Sequence, residues 1–114
     1  MKVTFNCSYN FGGWGIYFSK VIELPCAPFY GFMIIESDRD GNELSFTIKE
    51  DDIISYWPYD KSFHVDIREY WKPGTGAENV DSVLESHKIF KWNRKDQTNI
   101  KDMKDLMIRN YPNK

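Results

Sequence analysis

Apolar side chains recur at every second position through much of residues 2–92, and this period of two constrains the fold most strongly. Successive side chains of a β-strand point to opposite faces, so the pattern is typical of strands buried on one face. The first such segment carries four alternating apolar residues, Val3, Phe5, Cys7 and Tyr9. The sequence therefore predicts a mainly β (α+β) fold with about seven strands within residues 2–92.

Short turns join most of the predicted strands. Asp40-Gly41 supplies the positive-φ positions of a tight hairpin. Because a parallel crossover needs a dozen or more residues, short turns favour antiparallel neighbours. We predict an antiparallel bent sheet or a partly open barrel, which limits exposed edges. Residues 29–35 are apolar at odd and at even positions, which predicts a strand covered on both faces.

One helix is predicted near the C-terminus, over about residues 99–109. Its apolar face consists of Ile100, Met103, Leu106 and Met107. Thr98 or Asn99 suits the N-cap. The loop at 73–76 opens an irregular segment with one or two helical turns near Val80, and residues 87–92 resemble a last strand. A length of 114 residues predicts a single domain spanning 1–114.

Aromatic residues are abundant, with four Trp, seven Tyr and eight Phe. Disordered chains are poor in aromatics, so this composition excludes disorder. No segment approaches the roughly 20 apolar residues of a transmembrane helix. The N-terminus lacks the apolar segment of a secretory signal, so we expect a cytoplasmic protein. Cys7 and Cys26 are too few for a disulfide scaffold and are expected to be buried, unpaired thiols.

The charge is nearly balanced, with 15 Lys+Arg against 17 Asp+Glu. A dedicated nucleic-acid binder carries a basic surplus, so we do not expect a nucleic-acid partner. The charge is unevenly placed, however: residues 36–60 carry a net −6 and residues 86–114 a net +5. Such asymmetry can mark a surface that steers a protein partner. The acidic version of this hypothesis names Asp38, Asp40, Asp51 and Asp52 as contacts.

Known metal and catalytic motifs are not matched. The run 38–43 alternates aspartates, but Glu43 stands where an EF-hand loop needs glycine, and the hairpin explains the run. The glycine-rich run 73–76 lacks the lysine of a phosphate loop. Cysteines and histidines are isolated, without zinc spacing. We therefore predict no catalytic residues, no metal and no cofactor, and lean against an enzyme.

One set of residues stands out as a candidate binding site. On the strand from Phe63 to Trp71, the apolar residues occupy odd positions. The even positions, whose side chains point to the other face, are His64, Asp66, Arg68 and Tyr70. These side chains share one sheet face and combine acid, base, cation and phenol. Tyr17 likewise points away from the apolar residues of its own strand, Ile16 and Phe18, and completes the candidate set. Tyr30 and Tyr56 could join it.

Three functional hypotheses follow from these features. The first is a non-catalytic module that binds a protein partner through an aromatic and charged surface. The second is a small-molecule binder with an aromatic pocket. The third and weakest is an enzyme that uses His64 as a general base, oriented by Asp66. A structural homo-oligomer is a further possibility, and the oligomeric state and the partner are left open.

Overall fold

The structure, a computed structural model, describes residues 1–11, 13–71 and 77–110. The predicted loop at 73–76 lies outside these residues. The elements are β1 (Lys2–Phe11), β2 (Trp14–Glu23), β3 (Met33–Ser37), β4 (Glu43–Thr47), β5 (Ile53–Trp57), β6 (Ser62–Trp71), α1 (Ala77–Ile89), β7 (Asn93–Arg94) and α2 (Ile100–Asn110). The fold is mainly β with two helices, one of them C-terminal.

The strands form two sheets, and neither closes into a barrel. A five-stranded sheet has the order β5-β6-β1-β2-β7, and β3 and β4 form a separate hairpin. The prediction of an antiparallel sheet is wrong for the central pair, because β1 and β6 run parallel. Short turns do make β1–β2, β3–β4 and β5–β6 antiparallel. Turn length constrains only strands adjacent in sequence, and β1 and β6 are far apart along the chain.

One face of the five-stranded sheet carries the core and is called the inner face. The apolar parity of β1 is almost fully buried there, and Val3 and Phe5 have no exposed surface. The β3–β4 hairpin and both helices pack on this face, with the rings of Phe5 and Phe46 5.3 Å apart. Each large buried side chain contributes about 1.5–3 kcal/mol. The period of two on β1 thus identifies the core correctly.

Helix α1 replaces the strand predicted over residues 87–92 and is longer than the one or two turns expected. It ends in a Schellman arrangement: Trp92 N–H donates to the His87 carbonyl at 2.8 Å and Lys91 N–H to the Lys88 carbonyl at 3.1 Å. Lys91 has φ 61°, the left-handed conformation that usually falls to glycine. Since no glycine marks this end, the segment resembles a strand in sequence.

Helix α2 confirms the predicted C-terminal helix. Asn99 is its N-cap, because its Oδ1 accepts from Asp102 N–H at 3.1 Å. Met103 and Met107 are buried against the core, as the apolar spacing predicts. Neither α1 nor α2 has the length and hydrophobicity of a membrane-spanning helix.

The β3–β4 hairpin forms at the predicted turn. Gly41 has φ 84°, and the Asp38 carboxylate accepts from the backbone N–H groups of Asp40 and Asn42. Contrary to the prediction, β3 is covered on one face only. Ile34 is 6% exposed, whereas Met33 and Ile35 are more than half exposed. The hairpin is a separate two-stranded layer, so nothing among the described residues packs on its far side.

The two cysteines differ in environment. Cys7 lies in the core, where burial raises the pKa of its thiol, and Cys26 is exposed. They are unpaired, as expected, but the expectation that both are buried is wrong for Cys26.

Candidate functional site

The second face of the five-stranded sheet, called the outer face, is covered by no described helix or hairpin. None of its side chains belongs to the core cluster. Its residues are Lys2, Thr4, Asn6, Ser8 and Asn10 of β1, Gly15, Tyr17, Ser19, Val21 and Glu23 of β2, Ile53, Ser55 and Trp57 of β5, and Ser62, His64, Asp66, Arg68 and Tyr70 of β6.

The register arranges the outer face in cross-strand rows. One row runs Val21–Thr4–His64–Ser55, and the next runs Ser19–Asn6–Asp66–Ile53. The last two rows are Tyr17–Ser8–Arg68 and Gly15–Asn10–Tyr70. All five candidate residues therefore share the outer face, but they lie in four different rows.

His64 and Asp66 do not act as a pair. The His64 ring lies 4.7 Å from the Trp57 ring, and its Nε2 is 3.8 Å from the Asp60 carboxylate. Asp66 instead accepts a hydrogen bond from the Asn6 side chain at 3.1 Å. The His64 Nε2 atom is buried without a hydrogen bond among the described residues. The predicted orientation of His64 by Asp66 is therefore not formed.

Arg68, Tyr70 and Tyr17 meet at one groove. Its volume is about 200 Å³, and Ser8, Tyr9 and Asn10 of β1 and Glu69 of β6 also line it. Tyr30 lies before β3, and Tyr56 packs at 5.0 Å against the ring of Phe63, so neither lines the groove. Of the four tyrosines named for the second hypothesis, only Tyr17 and Tyr70 come together, and they do so in an open groove on the outer face.

Gly15 determines how Tyr17 lies in the groove. A Cβ atom on Gly15 would collide with the Tyr17 Oη, so the phenol extends along its own strand over the glycine. Tyr17 is 48% exposed, which leaves a large part of this side chain open to solvent. Only glycine permits this close approach of an aromatic ring to the sheet.

The segment after β7 fixes the backbone of Tyr17. Asp96 accepts from Tyr17 N–H at 3.0 Å, and Lys95 N–H donates to the Tyr17 carbonyl at 2.7 Å. Burial opposes ionisation of Asp96, but hydrogen bonds from Arg94 and from the N–H groups of Tyr17 and Thr98 lower its pKa to about 2. The aromatic wall of the groove therefore stands on an anchored strand.

A buried carboxylate supports the Arg68 backbone. Asp52 is 5% exposed and accepts from the N–H groups of Lys49 at 2.8 Å and Arg68 at 3.3 Å. The Asp52 side chain thus provides a hydrogen bond to β6 just before β5 begins at Ile53. Asp52 is therefore a structural residue, and its proposed contact with a partner as part of an acidic surface is wrong. Asp38, Asp40 and Asp51 are exposed.

The Arg68 guanidinium has no ion-pair partner among the described residues. Asn10 Oδ1 accepts from Gly13 N–H at 2.9 Å, which leaves its amide NH₂ to donate. The Glu69 carboxylate also lines the groove but is paired with the Lys49 ammonium at 3.2 Å, so the unpaired charge of the groove is that of the Arg68 guanidinium.

Sequence reasoning missed four residues of the groove, Ser8, Tyr9, Asn10 and Glu69, and the glycine at position 15 beneath the Tyr17 phenol. The polar parity of β1 could have indicated Ser8 and Asn10, but their position beside Arg68 depends on the β1–β6 pairing. It also missed a buried pair, in which the Tyr9 hydroxyl and His87 Nε2 are 3.0 Å apart. Three or more His, Cys, Asp or Glu side chains are nowhere grouped for metal binding within the described ranges.

Comparison of this chain with protein-family models, with curated proteins and with solved structures finds no match.

Proposed function

We propose that this protein is a non-catalytic binding module that engages a protein partner through the outer face. One observation carries the proposal: no described helix or hairpin covers the outer face, which displays large apolar and aromatic side chains. Val21 is 58% exposed, Trp57 51% and Ile53 44%. Val21 lies on β2 and the other two lie on β5, with polar side chains of β1 and β6 between them. A partner seated on this face would therefore contact apolar side chains on both sides of a polar centre.

The outer face has the dimensions of an interface. Four strands about 4.8 Å apart, rising about 3.3 Å per residue, give roughly 600 Å² for strands of this length. A partner in a stable complex buries about 800 Å² on each side. The aromatic residues stand among polar ones such as Asn6 and Ser19, which is the mixed composition typical of protein interfaces.

Site-specific photo-crosslinking in the native host cell tests this proposal. A photoreactive phenylalanine analogue replaces Val21 or Ile53 on the outer face, and Met33 in the control. Met33 is equally apolar and 57% exposed, but it lies on the hairpin. We expect positions 21 and 53 to give the same discrete protein adduct by mass spectrometry, and position 33 not to give it.

A second substitution strengthens this experiment. Trp57→Ala in the chain labelled at position 21 should lower the adduct yield about tenfold, because exposed aromatics contribute most to interfaces. An unchanged thermal midpoint shows that Trp57→Ala still folds. The proposal is refuted if positions 21 and 53 give no discrete adduct, or if position 33 gives the same one.

A further inference from the structure

We propose that the groove formed by Tyr17, Arg68 and Tyr70 binds a carboxylate carried on a six-membered ring, either a sugar acid or an aromatic acid. This inference goes beyond the proposed partner surface and does not rest on it. The groove occupies one end of the outer face, whereas Val21 and Trp57 lie toward the other end.

The width of the groove fits one ring. Tyr17 on β2 and Arg68 on β6 flank Ser8 of β1, so their backbones are two strand spacings apart, about 10 Å. The Tyr17 phenol extends over Gly15, in the row that ends at Tyr70. A volume of about 200 Å³ accommodates a six-membered ring with its substituents. Aromatic side chains provide apolar ring faces and a polar tip for such a ligand.

The polar groups of the groove favour a ligand rich in acceptors. The Asn10 side-chain oxygen is already used by Gly13 N–H, so the Asn10 amide presents its NH₂ group. The guanidinium of Arg68 has only donors, and the two phenols can donate as well. A neutral ring bearing only hydroxyls would leave the charge of Arg68 without a counter-ion.

The neighbouring charges favour an anion at Arg68. Asp66 lies in the next row but is hydrogen-bonded by Asn6. Glu69 also lines the groove, but its carboxylate is paired with the Lys49 ammonium at 3.2 Å. Thus no described carboxylate lies within ion-pair distance of the Arg68 guanidinium, whose planar fork matches a carboxylate bidentately.

Titrations followed by backbone amide NMR shifts test the site. The probes are D-glucuronate and benzoate, each paired with a neutral counterpart, D-glucose and benzamide. We expect at least one acid to saturate the amide shifts of Ser8, Asn10 and Arg68, with about tenfold tighter binding than its neutral counterpart. The acid that binds more tightly distinguishes a sugar acid from an aromatic acid.

Matched variants separate the roles of charge and ring. Arg68→Gln should abolish the preference for the acid, whereas Arg39→Gln, at an exposed turn, should leave it unchanged. Gly15→Ala should displace the Tyr17 phenol and weaken both acid and neutral probe. Each variant is first compared with the wild type by its NMR spectrum, so that an unfolded variant is not scored.

Four outcomes would overturn the inference. The first is that neither acid saturates the amide shifts below about 10 mM, which corresponds to very weak binding. The second is that the neutral counterparts bind as tightly as the acids, and the third is that Arg68→Gln keeps the preference for the acid. The fourth is that inorganic phosphate binds as tightly as either acid, which would mean that the ring is not recognised. None of these results bears on crosslinking at positions 21 and 53, so the two proposals fail separately.

Discussion

At the scale of single residues, the most informative group is the buried His87. It is 1% exposed, its Nδ1 donates to the Val83 carbonyl at 2.8 Å, and its ring stacks on Phe18 at 4.2 Å. Because Nδ1 carries the proton, Nε2 accepts from the Tyr9 hydroxyl. Burial lowers the pKa of His87 and raises that of Tyr9, so both groups are neutral in the folded core.

This neutral pair predicts an acid-dependent loss of stability. As the pH falls, His87 is protonated near pH 6.5 in the unfolded chain and only at a lower pH in the folded protein. Protonation therefore favours the unfolded chain, and the free energy of unfolding decreases as the pH falls below about 6.5. We expect His87 to contribute a loss of about 1 kcal/mol between pH 7.5 and pH 5.5. Urea unfolding at the two pH values measures the change.

A histidine variant identifies the source of this loss. The free energy of unfolding of His87→Gln should depend less on pH than that of the wild type. If His87→Gln does not fold, NMR titration of the wild-type ring gives the same answer. A His87 pKa at or above 6.5 in the folded protein would contradict the prediction.

At the scale of elements, the end of α1 shows how one residue changes the interpretation of a segment. Residues 87–92 contain apolar residues in a pattern that suits a strand, but the chain continues as helix to Ile89 and turns at Lys91. A lysine at φ 61° is strained relative to glycine. The burial of His87 and Trp92 holds the turn in this conformation.

Lys91→Gly should therefore stabilise the protein. Removing the Cβ relieves the left-handed conformation, and we expect a gain of about 0.5–1 kcal/mol in the free energy of unfolding. Lys88→Gly is the matched control, since Lys88 is exposed inside the helix, and it should destabilise by about 1 kcal/mol. Chemical denaturation measures both, and a loss of stability in Lys91→Gly would refute this account of the helix end.

At the scale of the whole molecule, a half-buried polar network joins the sheet, the hairpin and the segment after α1. The Lys20 ammonium on β2 pairs with the Glu36 carboxylate on β3 and donates to the Phe90 carbonyl at 2.6 Å. Trp92 Nε1–H donates to the other Glu36 oxygen at 2.7 Å. Glu36 is thus the point at which the hairpin is attached to both the five-stranded sheet and the end of α1.

Glu36→Ala should weaken this attachment strongly. It leaves the Lys20 charge and the Trp92 N–H half-buried without their acceptor, which costs about 2–3 kcal/mol. Glu43→Ala on the same hairpin removes an exposed carboxylate and should leave the unfolding midpoint unchanged. Thermal and urea unfolding compare the two variants. Equal stability of Glu36→Ala and Glu43→Ala would show that the network does not hold the hairpin.

The candidate site was only partly predictable from sequence. Parity alone assigns His64, Asp66, Arg68 and Tyr70 to one face, because side chains alternate along any strand. It does not say that His64 associates with Trp57, or that Arg68 meets Tyr17 across Ser8. The first contact depends on the register of the β5–β6 hairpin, and the second depends on strand order, which brings together residues more than 50 positions apart.

The mainly β character, the three hairpins, the apolar parity of the core and the C-terminal helix could all be predicted from the order of the residues. Each of these is local, since side-chain alternation, turn chemistry and capping act over a few residues. The parallel pairing of β1 with β6, the helix over Ala77–Ile89 and the exposure of the outer face could not be predicted in this way. The reason is that these features depend on which distant segments bury one another's apolar surface.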